Sequence, residues 1–217
     1  MNILIVSATE FEVKPFHEKC TAVKVIGEKI KRCSYKNHKI DFLVTGIGMV
    51  NTSFQMGKYL SDKYDVAFNA GIGGSFKKHI PIGTVVNIIE DCFSEMGAED
   101  GDDFLTLEDI DLGDQIIGIK KPFKNKVLKG MPKHYAITVN KVHGNEHSIR
   151  QVIRKFAPEI ESMEGAAFFN ACNEVGVFCA QIRSVSNYIE RRNKNSWNIP
   201  LAIETLNVKL QEIIESI

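Results

Sequence analysis

The stretch Asp65-Val66-Ala67-Phe68-Asn69-Ala70-Gly71-Ile72-Gly73-Gly74-Ser75 decides the fold. An apolar run of strand length enters a segment with three glycines in four positions. The composition predicts a strand over 65–69, then a tight turn whose backbone N–H groups lie against a ligand. A turn that is merely sterically tight accounts for the same residues. No lysine follows at Walker spacing, so the segment is not a phosphate-binding P-loop.

Two similar units precede it. Ile3 to Ala8 is a nearly continuous apolar run and reads as a buried central strand of a parallel sheet. A helix over 11–20 follows, despite Pro15. Glu10 and Glu12 then lie just past the carboxyl end of the first strand, where open α/β sheets bind ligands. For either carboxylate alone, a helix N-terminal charge is the simpler account. Residues 23–26 and 31–38 read as strands of a hairpin or meander. Ile40 to Thr45 is another apolar strand, running into Gly46-Ile47-Gly48-Met49-Val50-Asn51 and a helix to about residue 63. This G-x-G-x-x-N lacks the third glycine of a dinucleotide fingerprint, and no acidic residue follows at the required distance. It is a close strand-to-helix turn.

Beyond the glycine segment, Pro81-Ile82-Gly83 is a turn and 84–89 a strand. Residues 90–114 are acidic and aperiodic, which predicts a solvated loop. Asp100-Gly101-Asp102-Asp103 does not fit an EF-hand. Residues 115–131 read as irregular and 135–139 as a strand. His143 and His147 suit loop positions better than a metal site, because Gly144 weakens a helix between them. A helix over 148–156 leads to Glu161-Ser162-Met163-Glu164-Gly165-Ala166-Ala167. Here a carboxylate, Glu164, sits between an apolar Met163 and three small residues. Met163, Ala166, Ala167, Ala171 and Val175 are at helical spacing, with Gly176 as the stop. The small residues would leave room for a flat ligand, or would simply serve close helix packing. Residues 177–185 form a strand finishing in Arg183-Ser184-Val185-Ser186-Asn187-Tyr188, again placing polar groups at the ligand edge of the sheet. Asn198 caps a last helix with a core-facing stripe of Ala202, Leu206, Leu210, Ile213 and Ile217.

With 217 residues, 44% hydrophobic and 25% charged, the chain suits one domain over 1–217. The formal net charge is zero, so nothing calls for nucleic acid or an anionic membrane surface. Five cysteines without C-x-x-C spacing speak for a reducing compartment, against a disulfide frame and against zinc. No basic leader and no membrane-length apolar run is visible, so the expected setting is cytoplasmic.

Taken together, Ser7-Ala8-Thr9-Glu10-Phe11-Glu12-Val13, Thr45-Gly46-Ile47-Gly48, Asn69-Ala70-Gly71-Ile72-Gly73-Gly74, Met163-Glu164-Gly165-Ala166-Ala167 and Ile182-Arg183-Ser184-Val185-Ser186-Asn187 resemble the purine nucleoside phosphorylase and nucleosidase superfamily over nearly the whole chain. The nearest branch is the methylthioadenosine/S-adenosylhomocysteine nucleosidase-like one. The resemblance implies a three-layer α/β/α sandwich with a mixed central sheet, a small-molecule purine nucleoside substrate, no cofactor, no metal and a homodimer or higher homo-oligomer. Phe168-Phe169 could serve such an interface or pack in the core. The resemblance further implies that Glu12 activates a water held with Arg183. Glu164 would then take the ribose hydroxyls, with Met163 against the sugar. Gly71, Gly73, Gly74 and Ser186 would line the substrate.

One position departs from the adenine-cleaving enzymes, which carry Ser-Asp where this chain has Ser186-Asn187. An amide can donate to a 6-oxo group but is never a carboxylic acid. The run from Ser186 to Asn193, with Trp197 after it, also resembles futalosine hydrolases of menaquinone biosynthesis, which release hypoxanthine.

Overall fold

A computed structural model describes residues 1–217. In chain order the elements are β1 (Asn2–Ser7), α1 (Glu10–His17), β2 (Thr21–Gly27), β3 (Ile30–Tyr35), β4 (His38–Val44), α2 (Met49–Tyr59), β5 (Val66–Ser75), β6 (Val85–Phe93), β7 (Gly97–Asp100) and β8 (Asp103–Thr106). They continue with β9 (Ile116–Gly118), α3 (Lys126–Gly130), β10 (Lys133–Thr138), α4 (Glu146–Phe156), β11 (Ile160–Ser162), α5 (Gly165–Val175), β12 (Phe178–Tyr188) and α6 (Ile199–Glu215).

The main sheet runs β11-β10-β6-β12-β5-β1-β4-β3-β2, with β9 added on β6. It is mixed. β1 pairs parallel with β4 and β5, and β12 parallel with β5, while β12 meets β6 antiparallel. β11 also pairs antiparallel with β5, so β5, β12, β6, β10 and β11 close into a ring at one end of the sheet.

Strand alternation sorts the core into two layers. From β1, Ile3 and Ile5 point to a cluster with Val13 and Phe16 of α1, Leu128 of α3, and Leu206, Leu210, Ile213 and Ile214 of α6. Leu4 and Val6 point the other way, to Met56 of α2 and Phe168, Phe169 and Cys172 of α5. This is the expected three-layer α/β/α arrangement. A fully buried side chain of this size contributes roughly 1.5–3 kcal/mol, so each face of β1 is a substantial share of the fold's stability.

Several expectations are corrected. The glycine stretch is not a turn: β5 runs unbroken from Val66 to Ser75, straight through Gly71, Gly73 and Gly74. The glycines are there because neighbouring groups occupy the space a side chain would need. A Cβ on Gly73 would stand 2.9 Å from the Glu161 carbonyl oxygen, and one on Gly74 would overlap the Ile189 side chain. The acidic segment 90–114 is not all solvated loop, since β6 continues to Phe93 and β7 and β8 form a hairpin. Of the two readings the sequence left open for Phe168 and Phe169, core packing holds, since both are fully buried. Gly165, Ala166 and Ala167 serve close packing and leave no room for a ligand, because all three are buried in the first turn of α5. On α6, the stripe residue Ile217 lies beyond the helix and is exposed. No helix is long and apolar enough to cross a membrane.

Candidate active site

Glu12 occupies the third position of α1. Its Oε2 accepts from the Thr9 N–H at 2.9 Å and from Thr9 Oγ1 at 2.8 Å, the backward reach of a capping box. Its Oε1 accepts from the Ile72 N–H of β5 at 3.2 Å. The helix charge and the site carboxylate are thus the same group. Pro15 lies within α1, and α6 secures this helix from outside. The buried Asn207 amide donates to the Glu12 carbonyl at 2.8 Å and accepts from the Phe16 N–H at 3.0 Å. Asn207 thereby bridges two backbone groups that an uninterrupted helix would pair directly.

Arg183 is only 1% exposed. β12 pairs with β5 so that Arg183 stands opposite Gly71. A Cβ on Gly71 would lie 3.1 Å from Glu12 Oε1 and 3.2 Å from Arg183 Nη1. The glycine is what lets carboxylate and guanidinium share one spot on the sheet. Arg183 Nη2 donates to Asn69 Oδ1 and, at 3.2 Å, to Gln181 Oε1. Its Nε has no acceptor in the protein. Burial pulls the guanidinium down from its ordinary value, and Glu164, Asp91 and Glu12 oppose that pull.

Behind Arg183 stands a group the sequence concealed. Asp91 is fully buried; it accepts from Gln181 Nε2 and Thr138 Oγ1, each at 2.8 Å, and from the Cys92 N–H at 2.9 Å. Burial raises its carboxyl to about 6 against these hydrogen bonds. Thr138 Oγ1 also accepts the Ala166 N–H at 2.8 Å, satisfying one of the free donors at the start of α5.

Glu164 is the N-cap of α5, yet its side chain does not cap. It reaches to α2, where Oε1 accepts from the Gly48 N–H at 3.0 Å. The positive φ of Gly48 turns that N–H inward. Burial raises the Glu164 carboxyl, with Arg183 and the Gly48 N–H working against it. Met163 is half-buried beside the cluster of Cys92, Ile137, Val139 and Val152.

At the far end of β12 the register with β5 slips by one residue between Val185 and Asn187. This bulge leaves Ser186 as the extra residue and sets Asn187 opposite Gly74. Ser186 Oγ hydrogen-bonds the Gly73 carbonyl at 3.1 Å and Asn187 Oδ1 at 2.8 Å. With Oδ1 so engaged, Asn187 Nδ2 donates one hydrogen to the Tyr188 carbonyl at 3.1 Å and keeps a second free.

The structure therefore gathers Glu12, Gly71 and Arg183 at one place, with Glu164 electrostatically coupled to both charged members. Gly74, Ser186 and Asn187 stand three to four residues further along the same strand pair, with Gly73 between the two groups. His143 donates its backbone N–H to Glu161 at 3.0 Å and also pairs with it through Nδ1. No three His, Cys, Asp or Glu side chains cluster closely enough to hold a metal ion.

The model of the phosphorylase superfamily matches residues 2–217, and the chain belongs to that family. Within it, the chain is 26% identical over 233 residues to a futalosine hydrolase of Streptomyces coelicolor, covering 100% of this chain and 97% of that protein. Its fold matches the futalosine hydrolase of Helicobacter pylori strain 26695 with a TM-score of 0.83 at 16% identity, covering 100% and 98% of the two chains. It also matches the 5'-methylthioadenosine/S-adenosylhomocysteine nucleosidase of Neisseria meningitidis, solved with methylthio-immucillin-A, with a TM-score of 0.81 at 15% identity, covering 100% and 99%.

Proposed function

We propose that this chain is an N-glycosyl hydrolase that cleaves the N-ribosidic bond of futalosine, releasing hypoxanthine and dehypoxanthine futalosine, a step of menaquinone biosynthesis. Futalosine hydrolases among its relatives support the substrate. The observation that carries the reading is the Glu12–Arg183 pair over Gly71, with an amide, Asn187, three residues along β5 at the position of Gly74.

Cleavage passes through an oxocarbenium-like sugar and a departing purine anion, so water, sugar and base each need a partner. Glu12, fixed by Thr9 and Ile72, takes a proton from the attacking water, and Arg183 helps hold that water. The water oxygen bonds to the anomeric carbon as the bond to the purine nitrogen breaks. Glu164 accepts hydrogen bonds from the ribose hydroxyls, with Met163 against the sugar. Gly71, Gly73, Gly74 and Ser186 line the site. The free hydrogen on Asn187 Nδ2 goes to the 6-oxo side of the base. An amide cannot surrender a proton, so the base leaves with its charge relieved by hydrogen bonds and is protonated by water.

We read the enzyme as a cytoplasmic homo-oligomer. Ile47, Val50 and Phe54 form an exposed apolar stripe at the start of α2, beside the Gly48–Glu164 contact, and a second subunit would cover it.

The test is purine release in phosphate-free buffer from futalosine, inosine and methylthioadenosine side by side, followed by chromatography. Hypoxanthine from futalosine is the expected result. Adenine from methylthioadenosine would overturn the substrate and leave a nucleosidase. Dependence on added phosphate would make the enzyme a phosphorylase.

A further inference from the structure

Asp91 is a buried carboxylate that the proposed reaction leaves unused, and one side chain separates it from a group the reaction needs. Arg183 Nη2 donates to Gln181 Oε1 at 3.2 Å, and Gln181 Nε2 donates to Asp91 Oδ2 at 2.8 Å. The other oxygen, Oδ1, accepts from Thr138 Oγ1 at 2.8 Å and from the Cys92 N–H at 2.9 Å. Thr138 is itself tied to the first turn of α5 through the Ala166 N–H, at 2.8 Å. Asp91, Thr138, Gln181 and Arg183 are all buried. The chain of bonds runs without a gap from the start of α5 to the guanidinium.

Each link has a direction. A guanidinium only donates, and an ionised carboxylate only accepts. The Gln181 amide between them satisfies both only with its oxygen toward Arg183 and its nitrogen toward Asp91. On the other side, Asn69 gives Nδ2 to the Val6 carbonyl at 3.1 Å, which leaves its Oδ1 to accept from Arg183 Nη2. Both Nη2 hydrogens are thus taken. One Nη1 hydrogen goes to the Ile182 carbonyl at 3.2 Å, and Nε has no acceptor in the protein. The second Nη1 hydrogen stays free, and Nη1 is the nitrogen that meets Glu12 Oε1 over Gly71.

From this network we infer that Asp91 and Gln181 are positioning residues for the proposed hydrolysis. Asp91 sets the orientation of the Gln181 amide, and the amide holds Arg183 with Nη1 free beside Glu12. The inference rests on the reading of Arg183 as the group that holds the attacking water. Neither positioning residue acts on the substrate directly. A guanidinium anchored by Asn69 alone could turn, and misplacing a group at the reacting centre by about 1 Å costs on the order of 100-fold in rate. The surroundings leave the pair no slack: a Cβ on Gly165 would lie 2.0 Å from Asp91 Oδ2 and 2.2 Å from Gln181 Oε1. A well-packed apolar pair would fill the same space without the desolvation of a carboxylate. What the carboxylate supplies instead is direction, because an acceptor at position 91 is what orients the amide.

The experiment measures kcat and KM for purine release by the full-length protein at about pH 8, where Asp91 is ionised. Thermal melting checks folding, and calorimetry with hypoxanthine checks the base site. The variants are D91N, Q181M and the double variant D91N/Q181E. In D91N the new amide keeps its oxygen on Thr138 and Cys92 and turns its nitrogen to Gln181, which must flip and face Arg183 with a donor. Q181M removes the acceptor altogether. Both should lose kcat about tenfold or more at nearly unchanged KM and base affinity. The double variant exchanges carboxylate and amide. The amide at position 91 then donates to the carboxylate at position 181, which accepts from Arg183 as before, so kcat should return to within about threefold of wild type. A purely structural role would move kcat and KM together, or lower the melting temperature and leave kcat per folded molecule unchanged. Wild-type kcat in Q181M, or a double variant no faster than Q181M, overturns the inference, and this comparison stands even where D91N does not fold. Failure of the nucleosidase reading is seen separately, as a lack of purine release by wild type from any nucleoside, and the inference falls with it.

Discussion

Glu12 and Arg183 approach one another across the bare Cα of Gly71, with Oε1 and Nη1 3.1 and 3.2 Å from the point where a side chain would begin. Neither group is free to drift. Thr9 and the Ile72 N–H hold the carboxylate, and Asn69 and Gln181 hold the guanidinium. In the proposed reaction, a water placed between such groups would be oriented before the chemistry starts.

Glu12→Gln separates placement from proton removal. The amide keeps the shape but cannot accept a proton, so kcat on futalosine should fall about 10³-fold. One of its hydrogens must also face either Thr9 or Ile72, which costs on the order of 1–3 kcal/mol of stability. Calorimetry should still detect hypoxanthine binding to a folded protein. A variant with near wild-type kcat would remove Glu12 from the role of base.

Gly165 is the tightest contact behind the site. A Cβ there would lie 2.0 Å from Asp91 Oδ2 and 2.2 Å from Gln181 Oε1, both buried polar atoms with no room to retreat. Gly165→Ala should therefore lose on the order of 3 kcal/mol, well above the usual effect of adding a methyl group. Chemical unfolding would measure the loss. An unchanged midpoint would mean that the Asp91–Gln181 pair can move aside.

The residues proposed for the reaction were more legible in the sequence than the frame that holds them. Glu12, Glu164, Arg183 and Asn187 sit beside strand ends, and strand ends announce themselves by apolar runs. The course of β5 through Gly71, Gly73 and Gly74 was hidden, because glycine carries no strand signal and its reason lies in Glu12, Arg183, Glu161 and Ile189, all distant in sequence. Asp91 was masked by the acidic residues around it, although it alone among them is wholly buried beside Arg183's partner Gln181. Gln181 did leave a trace, as an amide inside the apolar run from Val177 to Ile182. His143 and Glu161 meet through a fold in the chain that no local pattern encodes.

The burial of Asp91 predicts a dependence of stability on pH. In the folded protein its carboxyl holds a proton up to about 6, against 3.8 ordinarily. Over that window the unfolded chain has released its proton and the native chain has not. Stability contributed by this group is therefore full below the lower value and is lost as pH rises through the upper one, by about 3 kcal/mol. Asp91→Asn removes the titration. Urea unfolding between about pH 4 and about pH 7 should show a flatter profile for the variant than for wild type. Identical slopes would assign the dependence to other groups.

Asn187→Asp puts the selection of the base to the test. The present amide receives Ser186 Oγ on its oxygen and gives one hydrogen to the Tyr188 carbonyl. A carboxylate in its place keeps the first contact and turns the second into a repulsion between oxygens, so the variant should be less stable and slower on every substrate. The loss should be uneven. Futalosine and inosine lose the donor to O6, which costs about a hundredfold in kcat/KM when a buried partner is left unpaired. Methylthioadenosine gains an acceptor for its 6-amino group and escapes that part of the loss. The ratio of adenine to hypoxanthine released from matched nucleosides should thus rise at least about tenfold, even as both rates fall. A uniform fall would mean that Asn187 shapes the strand end without touching the base.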